Sequence, residues 1–383
     1  MVKEFEAATE NASLKEIIVR RILAVGGIPF RDFMAMALYE PELGYYASRR
    51  QQMGHAGDYV TSPETGPIFG ALLGRQLREM WDLLGRPPQF RIVEAGAGSG
   101  ALCRDILRWA ARAAPGFAEA IHYTIVESSA VLVERQRSLL AAEGLKPRVR
   151  WDDRLPPEIT GCILSNELLD SFPVHRVVVE AGVLREIYVN WNGERFVEEL
   201  RPPSTPAIEA YFQDIGLLPA EGCRAEVNLD SVRWMREAAA ALKRGYLLTI
   251  DYGYEAAELY APWRRDGTLV CFYRHNPSAD PYARIGRQDI TAHVDFTSLR
   301  RAGEDSGLTT LALVSQSDFL INLGIADAVQ PPAAGETDLE EYYAKRRAVM
   351  ELIDPSKLGR LRVLVQSRGV ETRHLSGLSK RGS

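Results

Sequence analysis

Apolar residues recur at helical spacing at Leu14, Ile17, Ile18 and Ile22, just behind Ser13-Leu14-Lys15-Glu16, which reads as a capping box. Gly26-Gly27 ends that helix, and a second short helix is predicted over residues 30–38. The next stretch, "YEPELGYYASRRQQMGHAGDYVTSPETGP", has no period and is rich in Gly, Pro and aromatic residues. A stretch of that kind and length reads as a functional loop. Helical spacing returns over residues 68–84. Compact apolar runs then alternate with helical faces. Strands are predicted over 91–95, 122–127, 149–151 and 161–166, with helices over 101–113 and 130–143.

Such alternation produces a parallel sheet with helices on both faces. It is interrupted over residues 174–199, where antiparallel strands turn at Ala181-Gly182 and Asn192-Gly193. After a Pro-rich joint at 201–206 come helices over 207–215 and 229–243 and a strand over 246–251. A loop-rich stretch runs to 294. A helix over 296–305 and strands over 308–315 and 361–366 follow, and "SGLSKRGS" reads as a disordered tail.

The 383 residues are 46% hydrophobic and 25% charged, enough for one elaborated domain or two. A net charge of −5 gives no general drive toward nucleic acid. Cys103, Cys162, Cys223 and Cys271 form no C-x-x-C pair, and no histidine stands beside them at metal spacing. They read as buried thiols, with no metal site expected. No apolar run is long enough to span a bilayer, and the glutamate-rich start resembles neither a signal nor a transit peptide. A cytoplasmic protein, not bound to membranes, is the expectation.

Candidate chemistry gathers at the predicted strand ends, where open α/β sheets bind ligands. "EAGAGSG" places Gly96, Gly98 and Gly100 between a strand and a helix. Read as G-x-G-x-x-A it suits a dinucleotide, and read from Glu94 as E-x-G-x-G-x-G it suits S-adenosylmethionine. The glycines allow close approach, and the helix start favours an anionic group. Glu127, ending the next strand, suits ribose hydroxyls in either case. Glu94 tilts the choice, because a carboxylate helps a sulfonium and hinders a pyrophosphate. Asp152 and Asp153 stand where an adenine amino group would be met.

"LSNELLDSFPVH" ends the fourth strand with Asn166, Glu167 and Asp170. The two carboxylates, three apart, share a face if the turn is helical and then suit a guanidinium. His293 and His275 become candidate bases if the acceptor is a hydroxyl; His55 and His175 are weaker. Tyr45, Tyr46, Tyr59 and Phe272 suit either a peptide groove or a small-molecule pocket.

Together "ALYEPELGYYASRR", "GDYVTSPETGPIFGALLG", "IVEAGAGSGAL", "SNELLDSFPVHR", "GYLLTIDYGY" and "GRQDITAHVDFTSL" resemble the MidA-like methyltransferases, in order from Leu38 to Leu299. The resemblance implies a class I S-adenosylmethionine-dependent methyltransferase fold: a Rossmann-like, mostly parallel seven-stranded α/β sheet. It implies S-adenosylmethionine as cofactor and, for the family's mitochondrial members, symmetric dimethylation of an arginine in a respiratory complex I subunit. Glu94, Gly96, Gly98 and Gly100 match the family's cofactor loop, and Glu127 its ribose acid. Asn166, Glu167 and Asp170 match its fourth-strand motif, and Asp58, Thr61, Ser62 and Glu64 an N-terminal signature expected to close over the cofactor. The chain departs from the family at Ala95, Ala97 and Ser99, where Leu, Pro and Arg are common. It departs again at Leu168 and Leu169, where two phenylalanines are common.

The expected organisation is a helical cap and covering loop (1–85), a core in two parts (86–173 and 229–375), an inserted substrate subdomain (174–228) and a tail (376–383). By the resemblance, a protein arginine N-methyltransferase is the leading function. The alternatives are a small-molecule O- or N-methyltransferase, an S-adenosylmethionine-binding assembly factor with little catalysis, and a nicotinamide-dependent oxidoreductase.

Overall fold

The computed structural model describes residues 11–48, 57–58, 60–329, 339–371 and 374–379. Tyr59 and His55 lie outside these residues. Seven strands form the central sheet: β1 (Phe90–Ala95), β2 (Ile121–Val126), β3 (Val149–Asp152), β4 (Ile159–Asn166), β5 (Leu242–Asp251), β6 (Thr309–Ser315) and β7 (Arg362–Arg368). Their spatial order is β6-β7-β5-β4-β1-β2-β3. β1 to β5 run parallel, while β7 is antiparallel to both β5 and β6.

Strand order reverses between β1 and β4, which makes the crevice at their carboxyl ends the natural ligand position. The register brings those ends level: Ala95 pairs with Val126 and Ser165, Val126 with Asp152, and Ile250 with Asn166. β1, β4 and β5 are buried on both faces, which is why they read as continuous apolar runs. Consecutive residues divide between two cores. Ile92, Leu164, Leu248 and Val363 pack against Leu73, Leu77 and Ile106, whereas Val93, Ile163, Leu247 and Leu364 pack against Met235 and Phe296.

The interruption is an antiparallel sheet, with strands His175–Glu180, Val183–Trp191, Phe196–Arg201 and Arg224–Val227. Both hairpin turns fall where Ala181-Gly182 and Asn192-Gly193 predict them, and Ile28–Pro29 adds a further strand against Tyr188 and Val189. The N-terminal segment and the insertion therefore share one sheet.

Several expectations need correction. Helix Ala12–Val25 is capped by Asn11, whose side chain accepts from the Leu14 amide at 3.2 Å, so the chain enters the helix two residues before the Ser13 box. Both residue types cap well, and Asn11 is the one in extended conformation. The loop-rich stretch before 294 contains strands Val270–Tyr273, Asn276–Ser278 and Asp289–Thr291, too short to show a period. Of the tail expected over 376–383, residues 380–383 lie outside the described residues and 376–379 pack down instead. The Ser376 and Gly377 amides donate to Glu79 and Gln76, and Gly377 is seated on the Phe319 ring.

Candidate functional site

β1 leads into helix Ala101–Ala113 through three left-handed glycines, with φ of +69° at Gly96, +54° at Gly98 and +87° at Gly100. A side chain would strain each of them. At Gly96 a Cβ would also stand 2.6 Å from Leu168 Cδ1, so the loop after β4 lies directly on the glycine loop. The buried Gln136 ties the loop to β2 and β3. Its amide donates to the Gly98 carbonyl at 2.9 Å and to Glu127 at 3.3 Å, and its oxygen accepts from Trp151 Nε1 at 3.0 Å. Gly100 contacts Gln136 rather than the open crevice.

A cavity of about 340 Å³ opens above this loop. Glu94, Gly96, Gly98, Glu127, Asn166 and Glu167 line it from three strand ends, while Thr61 and Glu64 close it from the N-terminal side. Burial lifts the Glu94 carboxyl to about 7, against a hydrogen bond from Tyr123 at 2.7 Å that favours its ionised form. Burial also raises Glu127, although the Ser129 amide donates to it at 2.9 Å. Carboxyls held in this way gain from a cationic ligand, which restores their preferred charge. Asn166 Oδ1 is buried with no hydrogen-bond partner among the described residues and lines the same cavity. A donor group on a ligand would satisfy it. A sulfonium with an ammonium and ribose hydroxyls meets these needs, so the residues present fit S-adenosylmethionine.

Asp152 and Asp153 are not brought here. Both are exposed, Asp153 sits 4.0 Å from Arg154, and Asp152 contributes its backbone carbonyl to the Glu127 amide at 3.0 Å. β3 is the short edge strand, so its end falls outside the crevice. Asp58 is also elsewhere. It is fully buried, accepts from Tyr45 Oη at 2.9 Å and from the Arg274 amide at 2.7 Å, and lines a second cavity.

The loop after β4 divides the two cavities. Glu167 has a left-handed φ of +50°, and its amide donates to the Ile250 carbonyl at 2.8 Å. Asp251, at the end of β5, accepts from the Leu168, Leu169 and Tyr252 amides at 3.1, 2.8 and 2.9 Å. The turn is thereby held with the Glu167 carboxylate accepting from the Ser62 amide at 2.9 Å and Asn166 Nδ2 at 3.0 Å. Ser62 thus acts through Glu167 and does not itself line the donor cavity. Burial pushes Glu167 to about 7, and Asp170 is driven well above its usual range by burial and by Asp251, Asp289 and Glu167.

The second cavity, about 470 Å³, is lined by Glu167 and Asp170, and by His275 and His293. The two carboxylates share it although Glu167 is left-handed and stands outside the short turn Leu169–Ser171, not through the helical turn expected. His293 is held near 4 by burial, Arg360 and Arg264, and is neutral at physiological pH. No residue between 174 and 228 lines either cavity, so the insertion expected to carry the substrate meets neither.

Some functional positions escaped the sequence reading. Tyr39 is one: it stacks with Tyr46, itself an expected pocket aromatic, with centroids 5.4 Å apart at the donor cavity, and Asp289, another, accepts from Tyr46 Oη at 2.8 Å. Asp289 opens the specific stretch "DITAHVDF", which was its available signal. Gln316 had none. It accepts from Ser62 Oγ at 3.1 Å and donates to the Leu352 and Leu358 carbonyls at 3.3 and 3.0 Å.

A family model for S-adenosyl-L-methionine-dependent methyltransferases matches residues 72–314. The mitochondrial protein arginine methyltransferase NDUFAF7 of Mus musculus is 30% identical, over 89% of this chain and 81% of its own length. The Drosophila melanogaster homolog is 27% identical, over 97% and 88%. A Burkholderia thailandensis methyl transferase crystallised with S-adenosyl-homocysteine is 34% identical, with a TM-score of 0.85 over 96% of this chain and 95% of its own. These relatives overturn one expectation. The curated ones are named mitochondrial, against the cytoplasmic placement read from the acidic N-terminal stretch. The Rossmann-like methyltransferase fold and the S-adenosylmethionine cofactor stand.

Proposed function

The chain belongs to the S-adenosyl-L-methionine-dependent methyltransferase family matched over residues 72–314, and on that premise we propose that it methylates arginine in a protein. The observation that carries the reading is the position of Glu167, whose side chain lines both the donor cavity and the second cavity. Two relatives named protein arginine methyltransferases support the choice of acceptor.

S-adenosylmethionine supplies a methyl group on a sulfonium, which is already a good leaving group, so alignment is the main task left to the protein. Glu127 is assigned to the ribose hydroxyls, Asn166 Oδ1 and Glu94 to the cationic end, and the glycine loop to close approach. Thr61 and Glu64 close the cavity, and Asp58 and Ser62 support from behind.

Glu167 orients the acceptor nitrogen and receives the proton lost as the nitrogen–carbon bond forms. A guanidinium pKa above about 12 makes neutral imidazole a poor base for that proton. His293 is therefore assigned to binding rather than proton transfer. Asp170 holds the other end of the guanidinium. The cap and the insertion, which share a sheet, are proposed to brace the covering segment.

Transfer of labelled methyl from S-adenosylmethionine into a cell lysate tests this reading. Label recovered as methylarginine in the protein fraction is expected. Label confined to small molecules supports the small-molecule alternative and overturns it. Tight cofactor binding with no turnover would favour an assembly factor and also overturns it.

A further inference from the structure

We propose that the 470 Å³ cavity beyond Glu167 is the acceptor site and that it selects a planar guanidinium cation over neutral and ammonium side chains. The proposal rests on the arginine reading above and adds where the acceptor sits and what recognises it.

Among the described residues the cavity shares Tyr46 and Glu167 alone with the donor cavity, so an occupant meets the donor at the Glu167 carboxylate. Among the described residues, five carboxyls line it against two cations. Both cations are already engaged: Lys357 pairs with Glu351 at 2.5 Å, and Arg360 lies over the Tyr252 ring at 5.1 Å. What faces the interior is an acid surplus from Glu167, Asp170 and Asp289. Burial raises all three; like charge adds to it from Asp251 at Glu167, from Asp58 at Asp289, and from Asp251, Asp289 and Glu167 at Asp170, and a bound cation would relieve that repulsion.

A second observation is independent of the acids. His293 Nδ1 is buried and has no hydrogen-bond partner among the described residues, yet the ring lines the cavity. The ring is held between Tyr252, nearly parallel at 6.2 Å, and Tyr254 at 5.3 Å. A buried ring nitrogen left unpaired is costly, and in the tautomer protonated on Nε2 an N–H from a ligand would satisfy Nδ1. Because His293 is neutral, it does not repel a cation.

The rest of the described lining mixes the aromatic rings of Tyr46, Tyr252 and Phe272 with Val60, Val270, Thr291 and Leu358. A planar cation with five N–H donors can stack on such rings, bridge Glu167 and Asp170, and still reach His293. An ammonium has three donors on a compact head and cannot span these groups in one plane. A neutral urea leaves the acid surplus uncompensated.

The test uses the protein saturated with S-adenosyl-homocysteine and titrated with acetyl-arginine methylamide, then with its citrulline and lysine counterparts, followed by ligand-observed NMR. The arginine probe is expected to bind at least tenfold more tightly than either counterpart. Asp170→Asn and Asp289→Asn should each weaken it at least tenfold, and His293→Phe severalfold. S-adenosyl-homocysteine affinity, unchanged within about twofold, certifies that each variant is folded.

Equal binding of the arginine and citrulline probes overturns the proposal. So do folded carboxylate variants that keep arginine affinity. If lysate protein gains methylarginine while these variants leave the arginine KM unchanged, the cavity assignment fails and the arginine reading stands. If the probe binds as expected but label appears only in other products, the arginine reading fails and the cavity's selectivity stands.

Discussion

Glu167→Gln should stabilise the protein and stop the reaction. Burial raises the Glu167 carboxyl from 4.5 to about 7. Between those values the folded chain keeps a proton that the unfolded chain has lost. Stability therefore falls as pH rises through that window, and the loss is complete above the folded value. At about 1.4 kcal/mol per pH unit, ionised Glu167 costs the fold about 3 kcal/mol at pH 8. Glutamine keeps an oxygen for the Ser62 amide, now at 2.9 Å, and never ionises. With about 2.1 cal/mol/K of unfolding entropy per residue over 383 residues, the gain is roughly 4 °C in Tm. Scanning calorimetry of both proteins without ligand, at pH 5 and pH 8, reads it directly. The Tm values should lie within about 1 °C of each other at pH 5 and separate by roughly 4 °C at pH 8, with the variant higher. Methyl transfer by the variant should fall at least a hundredfold, with S-adenosyl-homocysteine affinity changed little. A variant no more stable at pH 8 than at pH 5, relative to the parent, would refute the buried-charge argument. Full activity would remove Glu167 from the mechanism.

Gly98→Val places a β-branched residue at φ +54° beside the donor, and calorimetry should find S-adenosyl-homocysteine binding lost by a hundredfold or more. Asp251→Asn turns an amide donor toward backbone N–H groups that now have a carboxylate. It should cost about 1–3 kcal/mol in urea unfolding and lower kcat at least tenfold, with donor affinity little changed. Gln316→Ala unties Ser62 from the Leu352 and Leu358 carbonyls. A loss of about 3 kcal/mol in urea unfolding, together with a lower kcat, is expected.

The central sheet was legible because each of its strands is either a compact apolar run or a clear alternation bounded by glycine or an acid. Ile163 and Leu164 show why: adjacent residues serve opposite cores, and only a doubly covered strand needs both apolar. The glycine loop was legible for the same local reason, since left-handed φ at three alternating positions leaves few residue choices. Asp152 misled because sequence places it at a strand end but cannot show that the strand is an edge. Asp58 misled in a different way: a motif match located it near the cofactor, whereas its carboxylate holds Tyr45 and the Arg274 amide. Gln316 was invisible because its partners, Ser62, Leu352 and Leu358, lie 254, 36 and 42 residues away and bear no pattern of their own. The division of the crevice into two cavities was equally hidden, because it depends on the backbone turn at Glu167 rather than on its identity.

A crystal structure with S-adenosyl-homocysteine bound tests the central claim most directly. The account predicts the ribose hydroxyls on Glu127, the amino-acid end near Glu94 and Asn166, and the sulfur facing Glu167 with the second cavity beyond it. A ligand bound elsewhere, or a sulfur turned away from Glu167 and closed off from the second cavity, would contradict it.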